Sequence, residues 1–185
     1  MDPAGYLVSE KYDGVRALWD GRVLRFRSGL PIAAPEAFVE GLPAVPLDGE
    51  LWLGRGRFEA LSGLVRRQAR DATAWRQLRY MVFEQPGAPG SFASRAQHIA
   101  ALVRQTGWSQ LQAVKQEVLN SPQALQRRLD EVVAFCGEGL MLHRADARYE
   151  TGRSASLLKL KPLHDAEAWV EIGRASCRER VCLLV

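Results

Sequence analysis

The chain has 185 residues, 47% of them hydrophobic and 25% charged, with 25 lysines and arginines against 21 acidic residues and a formal net charge of +4. That balance supports one buried core and excludes a compositionally disordered chain, while the moderate positive charge favours a polyanionic partner without identifying it. No stretch approaches the roughly eighteen consecutive apolar residues of a membrane span, and no charged-then-apolar leader precedes the first strand, so no membrane partner is expected. As given, the chain reads as cytoplasmic; a leader upstream of Lys11 would make it periplasmic.

Leu7 and Val8 read as strand residues leading into EKYDGVR, Glu10 to Arg16. A lysine becomes a nucleophile only when its amine loses its proton, which burial or neighbouring cations promote. Lys11 at a strand end, beside an Asp13-Gly14 turn, is therefore the candidate nucleophile of a cleft. Ala17 to Phe26 predicts two short strands around Asp20-Gly21. PLDGELW, Pro46 to Trp52, reads as a turn followed by a strand, and Phe58 to Gln68 as a short helix. RRQAR, Arg66 to Arg70, is either a solvated helix face or a track for nucleic-acid phosphates.

Leu78 to Glu84 predicts a buried strand stopped by Pro86 and Gly87, followed by a helix over Ala93 to Gln105 that Gly107 ends. Gln110 to Val114 predicts a further strand. Pro122 to Cys136 carries the strongest helix signal, with Ser121 as N-cap, Pro122 at the first position and Gly137 past the end. Its stripe of Leu125, Leu129, Val132, Val133 and Cys136 makes Cys136 a packing residue. In EGLMLHR the alternation places Glu138 with Leu140 and Leu142, where a carboxylate needs a cation or hydrogen bonds to compensate burial and suits a hard ion such as Mg²⁺. In LLKLKP, Lys159 and Lys161 share one strand face and Leu158 and Leu160 the other. Such a pair could stabilise phosphate charge and lower the pKa of Lys11, although taken alone it reads first as an edge strand protected by lysines. His98, His143 and His164 lack metal-ligand spacing, and the five tryptophans read as core or rim residues.

Taken in order, EKYDGVR, PLDGELW, YMVFE, GEGLMLHR and LLKLKP resemble the motifs of the covalent nucleotidyltransferases, and within them the minimal bacterial ATP-dependent DNA ligases. The resemblance covers about 5–170 and includes RSGLPI, FEALSGLVRR and YETGRSASLLKLKP. It implies an α+β, ATP-grasp-like domain of mixed, largely antiparallel sheets flanked by helices. It implies that Lys11 attacks the α-phosphate of ATP, forming lysyl-AMP, and that AMP then passes to the 5′-phosphate of a nick, which the 3′-hydroxyl seals. The resemblance assigns Arg16 and Arg27 to the nucleotide and nick phosphate, Glu50 to the ribose, Phe83 to stacking on adenine, and Lys159 and Lys161 to the α-phosphate. Glu138, with Glu50 as a weaker candidate, is assigned to Mg²⁺ or Mn²⁺. Ser9 stands where several larger ligases carry an adenine-contacting glutamate. The implied partners are ATP and nicked double-stranded DNA, bound by a monomer. An RNA ligase, a GTP-using capping enzyme, or a weakly catalytic nucleotide- or DNA-binding fragment are the alternatives.

The segment 171–185 has no periodicity and looks like a translated sequencing adapter, so the domain is expected over 1–170 with a net charge of +3. Cys177 and Cys182 fall in that segment, leaving Cys136 and no basis for a disulfide or zinc site. The resemblance further implies a following oligonucleotide-binding barrel, expected to be absent from this chain.

Overall fold

The computed structural model describes residues 1–67, 71–152 and 154–162. The segment 163–185, with His164, Trp169, Cys177 and Cys182, and residues 68–70 of the arginine-rich run lie outside the described residues. Two sheets carry the fold. Sheet A has the order β1 (Tyr6–Glu10), β7 (Leu140–Arg144), β8 (Leu157–Leu160), with both pairings antiparallel. Sheet B runs β3 (Leu24–Phe26), β2 (Val15–Trp19), β4 (Leu47–Trp52), β5 (Arg79–Glu84), β6 (Leu111–Ala113), antiparallel except for the parallel β5–β6 pair. The helices are α1 (Glu36–Val39), α2 (Phe58–Val65), α3 (Ala72–Trp75), α4 (Phe92–Thr106) and α5 (Pro122–Ala134). None among the described residues is long and apolar enough to cross a membrane. This is the expected mixed, largely antiparallel α+β architecture.

Each sheet has its own core, because each buries one face of alternating residues. Ala17, Leu47, Leu51 and Tyr80 of sheet B pack with Phe38, Leu61, Trp75 and Ile99 from the first four helices. Val8, Leu140 and Leu142 of sheet A pack against Leu125, Leu129 and Val132 of α5. The opposite faces of both sheets stay free for polar residues.

Local signals set most boundaries. Ser121 Oγ accepts from the Ala124 amide (3.1 Å), and Ser91 Oγ from the Ser94 amide (3.3 Å), capping α5 and α4. Gly107 ends α4 in the left-handed conformation, as its position predicts. The end of α5 differs from expectation. Helical geometry stops at Ala134, and Cys136 takes the left-handed position at φ 59°. The Cys136 amide donates to Val133 O (2.9 Å) and the Gly137 amide to Val132 O (2.8 Å), a Schellman turn. Cys136 is thereby exposed and leaves the apolar stripe.

A second correction concerns LDGELW. No turn forms at Asp48-Gly49; all of Leu47–Trp52 is strand, because Gly49 lies under the Tyr80 ring. A Cβ there would stand 2.7 Å from that ring and 2.6 Å from Met81 O. The Tyr80 hydroxyl lies 2.8 Å from Ala17 O and 3.1 Å from Leu47 O, linking β5 to β2 and β4. The short helices α1 and α3, four residues each, lie outside the expected elements; α3 starts at Asp71, whose side chain accepts from the Thr73 and Ala74 amides (3.1 and 3.0 Å).

One buried ion pair ties the end of β5 to the β7–β8 connection. Arg95 donates to both carboxylate oxygens of Glu84 (2.7 and 2.8 Å) and to the carbonyls of Gly90 and Ala147 (2.8 and 3.2 Å). Its side chain is 1% exposed. Arg95→Ala leaves the buried Glu84 with the Gln85 amide as donor but no cation, and should lower stability by about 3–5 kcal/mol. Denaturant unfolding measures it, and a loss below about 1 kcal/mol would show that the four contacts are dispensable.

Candidate functional site

On sheet A, alternation from buried Val8 puts Leu7, Ser9 and Lys11 on the face away from α5, in register with His143, Met141 and Gly139. The Lys11 amide donates to Gly139 O (2.9 Å), extending the β1–β7 ladder by one residue. Lys159 sits opposite Met141 on the same face, and Lys161 follows two residues on. Gly139 separates the two lysine-bearing segments and has no room for a side chain: an added Cβ would meet Leu160 O and lie 3.2 Å from the Lys161 Cα. Its φ of +146° also breaks the strand pattern, so the expected alternation of Glu138 with Leu140 and Leu142 does not hold. Instead, Glu138 turns to the lysines. One carboxylate oxygen accepts from Lys11 Nζ and the other pairs with Lys161 Nζ.

On sheet B, Arg16 and Glu50 are directly opposed, and Asp48 lies two residues from Glu50 on the same face. Arg16 grips Asp48 with a bidentate pair (3.0 and 2.6 Å), Asp48 being almost fully buried. A bulge in β5, where Gly49 faces Val82 and Asp48 faces Glu84, leaves Phe83 as the extra residue. That re-aims its ring toward the charged face, with the Arg16 guanidinium 5.6 Å from its centroid. Gly14 allows the Lys11 loop to lie against β4, since a Cβ there would come within 2.6 Å of the Glu50 side chain. Its requirement is space, not a positive φ.

The charges of the two sheets act on each other. Burial pushes the Glu50 carboxyl up to about 7, although Lys11 and Arg16 pull it down. Burial raises Asp48 as well, against its pair with Arg16. Burial works the same way on Glu138, but hydrogen bonds from Lys11 and Lys161 outweigh it and hold that carboxyl below its usual range. Asp13 is raised by burial and by the neighbouring Glu138. Tyr149, from the β7–β8 connection, is raised by burial and by the charges of Asp48 and Glu84.

Among the sequence-predicted residues, Lys11, Glu138 and Lys161 are in contact, and Arg16, Glu50 and Phe83 form the neighbouring charged face. Arg27 is exposed and acts on Asp48 only at electrostatic range. Lys159 is exposed and has no ion pair among the described residues. No group of three His, Cys, Asp or Glu among the described residues is arranged to enclose an ion, and of the two carboxylates proposed for metal, Glu138 adds to the upward push on Glu50. His143 stacks on Phe92 (3.7 Å between centroids) and His98 is exposed. Arg66 and Arg67 are exposed. Sequence reasoning missed Asp48, although its spacing from Glu50 signalled a shared face. It also missed Tyr149 and Arg55, which carry no local pattern.

No protein-family profile matches the chain. It is 31% identical over 166 residues to a DNA ligase of Haemophilus influenzae, covering 90% of this chain and 61% of that protein. A solved Lig E DNA ligase is 40% identical with a TM-score of 0.81, over 88% of this chain and 64% of that one. The Chlorella virus DNA ligase-adenylate shares 20% identity at a TM-score of 0.72, over 85% of this chain and 62% of its own. The chain thus spans about three fifths of the length of these proteins.

Glu50 makes stability depend on pH. Its folded pKa of about 7 exceeds the ordinary 4.5, so between those values the folded state holds the proton more tightly than the unfolded one. Stability should therefore fall as pH rises from about 4.5 to about 7, by on the order of 3 kcal/mol, and level off above. Thermal unfolding of the nucleotide-free protein against pH reads this, and Glu50→Gln should remove that part of the slope. An identical slope in the variant would refute the assignment.

Proposed function

We propose that this chain, which belongs to the ATP-dependent DNA ligase family through its adenylation domain, takes AMP from ATP onto Lys11, and that the whole protein uses that AMP to seal nicked duplex DNA. The convergence of Lys11, Lys161 and Glu138 beside the Arg16–Asp48 and Glu50 face carries the reading. A nucleophilic amine needs a second cation for the phosphate and acceptors for the rest of the nucleotide, and these stand on adjoining faces.

In the proposed reaction the Lys11 amine, having given up its proton, attacks the α-phosphorus of ATP. A phosphorus–nitrogen bond forms as the bond to the pyrophosphate oxygen breaks, and pyrophosphate leaves. Lys161 and Lys159 would stabilise the charge on the α-phosphate. Arg16, held in orientation by Asp48, and Arg27 would bind nucleotide and then nick phosphates. Glu50 would hydrogen-bond the ribose, and the bulged Phe83 would offer its ring to adenine. The Lys11–Glu138 ion pair must open first, because an ammonium engaged with a carboxylate has no free lone pair.

A divalent cation fits this donor set with Glu138 as its first carboxylate and Glu50 as the weaker candidate. Glu138 supplies a half-buried carboxylate, and no protein cage surrounds it among the described residues, which suits Mg²⁺ or Mn²⁺ held by one carboxylate, water and substrate phosphates. Bound there, the ion would offset phosphate charge. In the whole protein AMP would pass to the 5′-phosphate of the nick, and the 3′-hydroxyl would displace it.

Intact mass spectrometry after incubation with Mg²⁺ and ATP, or GTP, tests the reading. The wild type should gain one AMP from ATP and Lys11→Ala none, while Glu138→Ala should gain it more slowly. An adduct that persists in Lys11→Ala would overturn it.

A further inference from the structure

We infer that Arg55 is a positioning residue that sets the spacing of Lys11, Glu50 and Glu138, an inference resting on the nucleotidyl-transfer reading above. Arg55 lies in the loop after β4, between Gly54 at φ 128° and Gly56 at φ 68°. These left-handed positions turn its side chain back across the molecule. Its Nε and one terminal nitrogen donate to the two carboxylate oxygens of Glu10 (2.9 and 2.8 Å), and its other terminal nitrogen donates to Phe135 O (3.0 Å).

Each of these partners stands just beside a site residue in the chain. Glu10 is followed at once by Lys11 and, by alternation, faces the other way. Phe135 begins the Schellman turn that delivers Glu138 three residues later. Arg55 itself follows Glu50 by five residues, three of them beyond the end of β4. One guanidinium thus ties β1 of sheet A and the end of α5, which share one core, to the loop that follows β4 of sheet B, whose core is separate; the edge-on contact of Tyr12 with Trp52 joins the chain after β1 to β4 beside it. Glu10 is 13% exposed and Arg55 32%, so the pair is partly shielded from solvent.

The fork geometry does this work, since three donors in one plane fix orientation as well as distance. Lysine at the position keeps the charge and loses the plane. A displacement on the scale of an ångström at a reacting centre lowers rate by about 10²-fold.

The test is single-turnover formation of Lys11–AMP by the full chain, in wild type, Arg55→Lys, Glu10→Gln and the double variant, below the melting temperature of all four. Arg55→Lys should lower the rate at saturating ATP by about 10²-fold with the ATP dependence shifted less than about threefold. The double variant should be no slower than the single ones, because both remove the same clamp. Amide hydrogen exchange at Lys11 and Gly137, read in parallel, should quicken in Arg55→Lys. A wild-type rate in that variant, or a loss lying wholly in ATP affinity, would overturn the inference. If the wild type takes up no AMP, the nucleotidyl-transfer reading fails by itself, and the clamp stands or falls on whether exchange at those two amides quickens.

Discussion

Two ammonium groups held on strands either side of β7 would repel each other, and the Glu138 carboxylate between them is what makes the arrangement tolerable. That requirement propagates outward. Glu138 can face the lysines because Gly139 adopts a φ closed to other residues and, having no Cβ, lets the Leu160–Lys161 backbone come close. The Lys11 amide docks on the Gly139 carbonyl, so the carboxylate of Glu138 and the lysine are registered through adjacent residues. The Schellman turn at the end of α5 then fixes where Glu138 enters.

The second sheet faces the same electrostatic problem with the signs reversed. Asp48 and Glu50 lie on one strand face, largely out of water, and their charge is offset by Arg16 directly opposite and by Lys11 from the other sheet. The offset is incomplete at Glu50, whose carboxyl stays protonated further up the pH scale than usual. A site with two cations around one acid beside two acids around one cation leaves several partners ready to be exchanged for a phosphate ester, a ribose hydroxyl or a metal ion. This readiness is the physical content of the proposed nucleotidyl transfer.

Because each sheet has its own hydrophobic core, the seam between them is carried by polar ties together with the His143–Phe92 and Tyr12–Trp52 ring contacts. The Glu84–Arg95 pair fastens one end, by way of the Ala147 carbonyl, and the Glu10–Arg55 pair the other. Ion pairs and hydrogen bonds fix direction more sharply than apolar packing does, which suits a boundary where side chains from both sheets must meet at set distances.

Much of this was legible along the chain. Strand alternation around Lys159 and Lys161, the Asp20-Gly21 hairpin, and the caps at Ser121 and Gly107 are local, since each depends on residues within one or two turns of the backbone, and the structure carries all of them. The ordered motifs likewise named Lys11, Arg16, Glu50 and Glu138, which the structure gathers on adjoining faces. What local pattern misjudged was each point where a distant segment intervenes. Gly49 is strand because the Tyr80 ring, thirty-one positions away, lies over it. Cys136 leaves the helix stripe because the turn toward Glu138 needs a left-handed residue there. Arg55 has a role only because Glu10 and Phe135 come within its reach. Which residues make strands and helices, and which motif side chains carry charge, can be read along the chain. Which of those charges meet follows from the packing of the two sheets, because pairing depends on distances through space that no periodicity along the chain encodes.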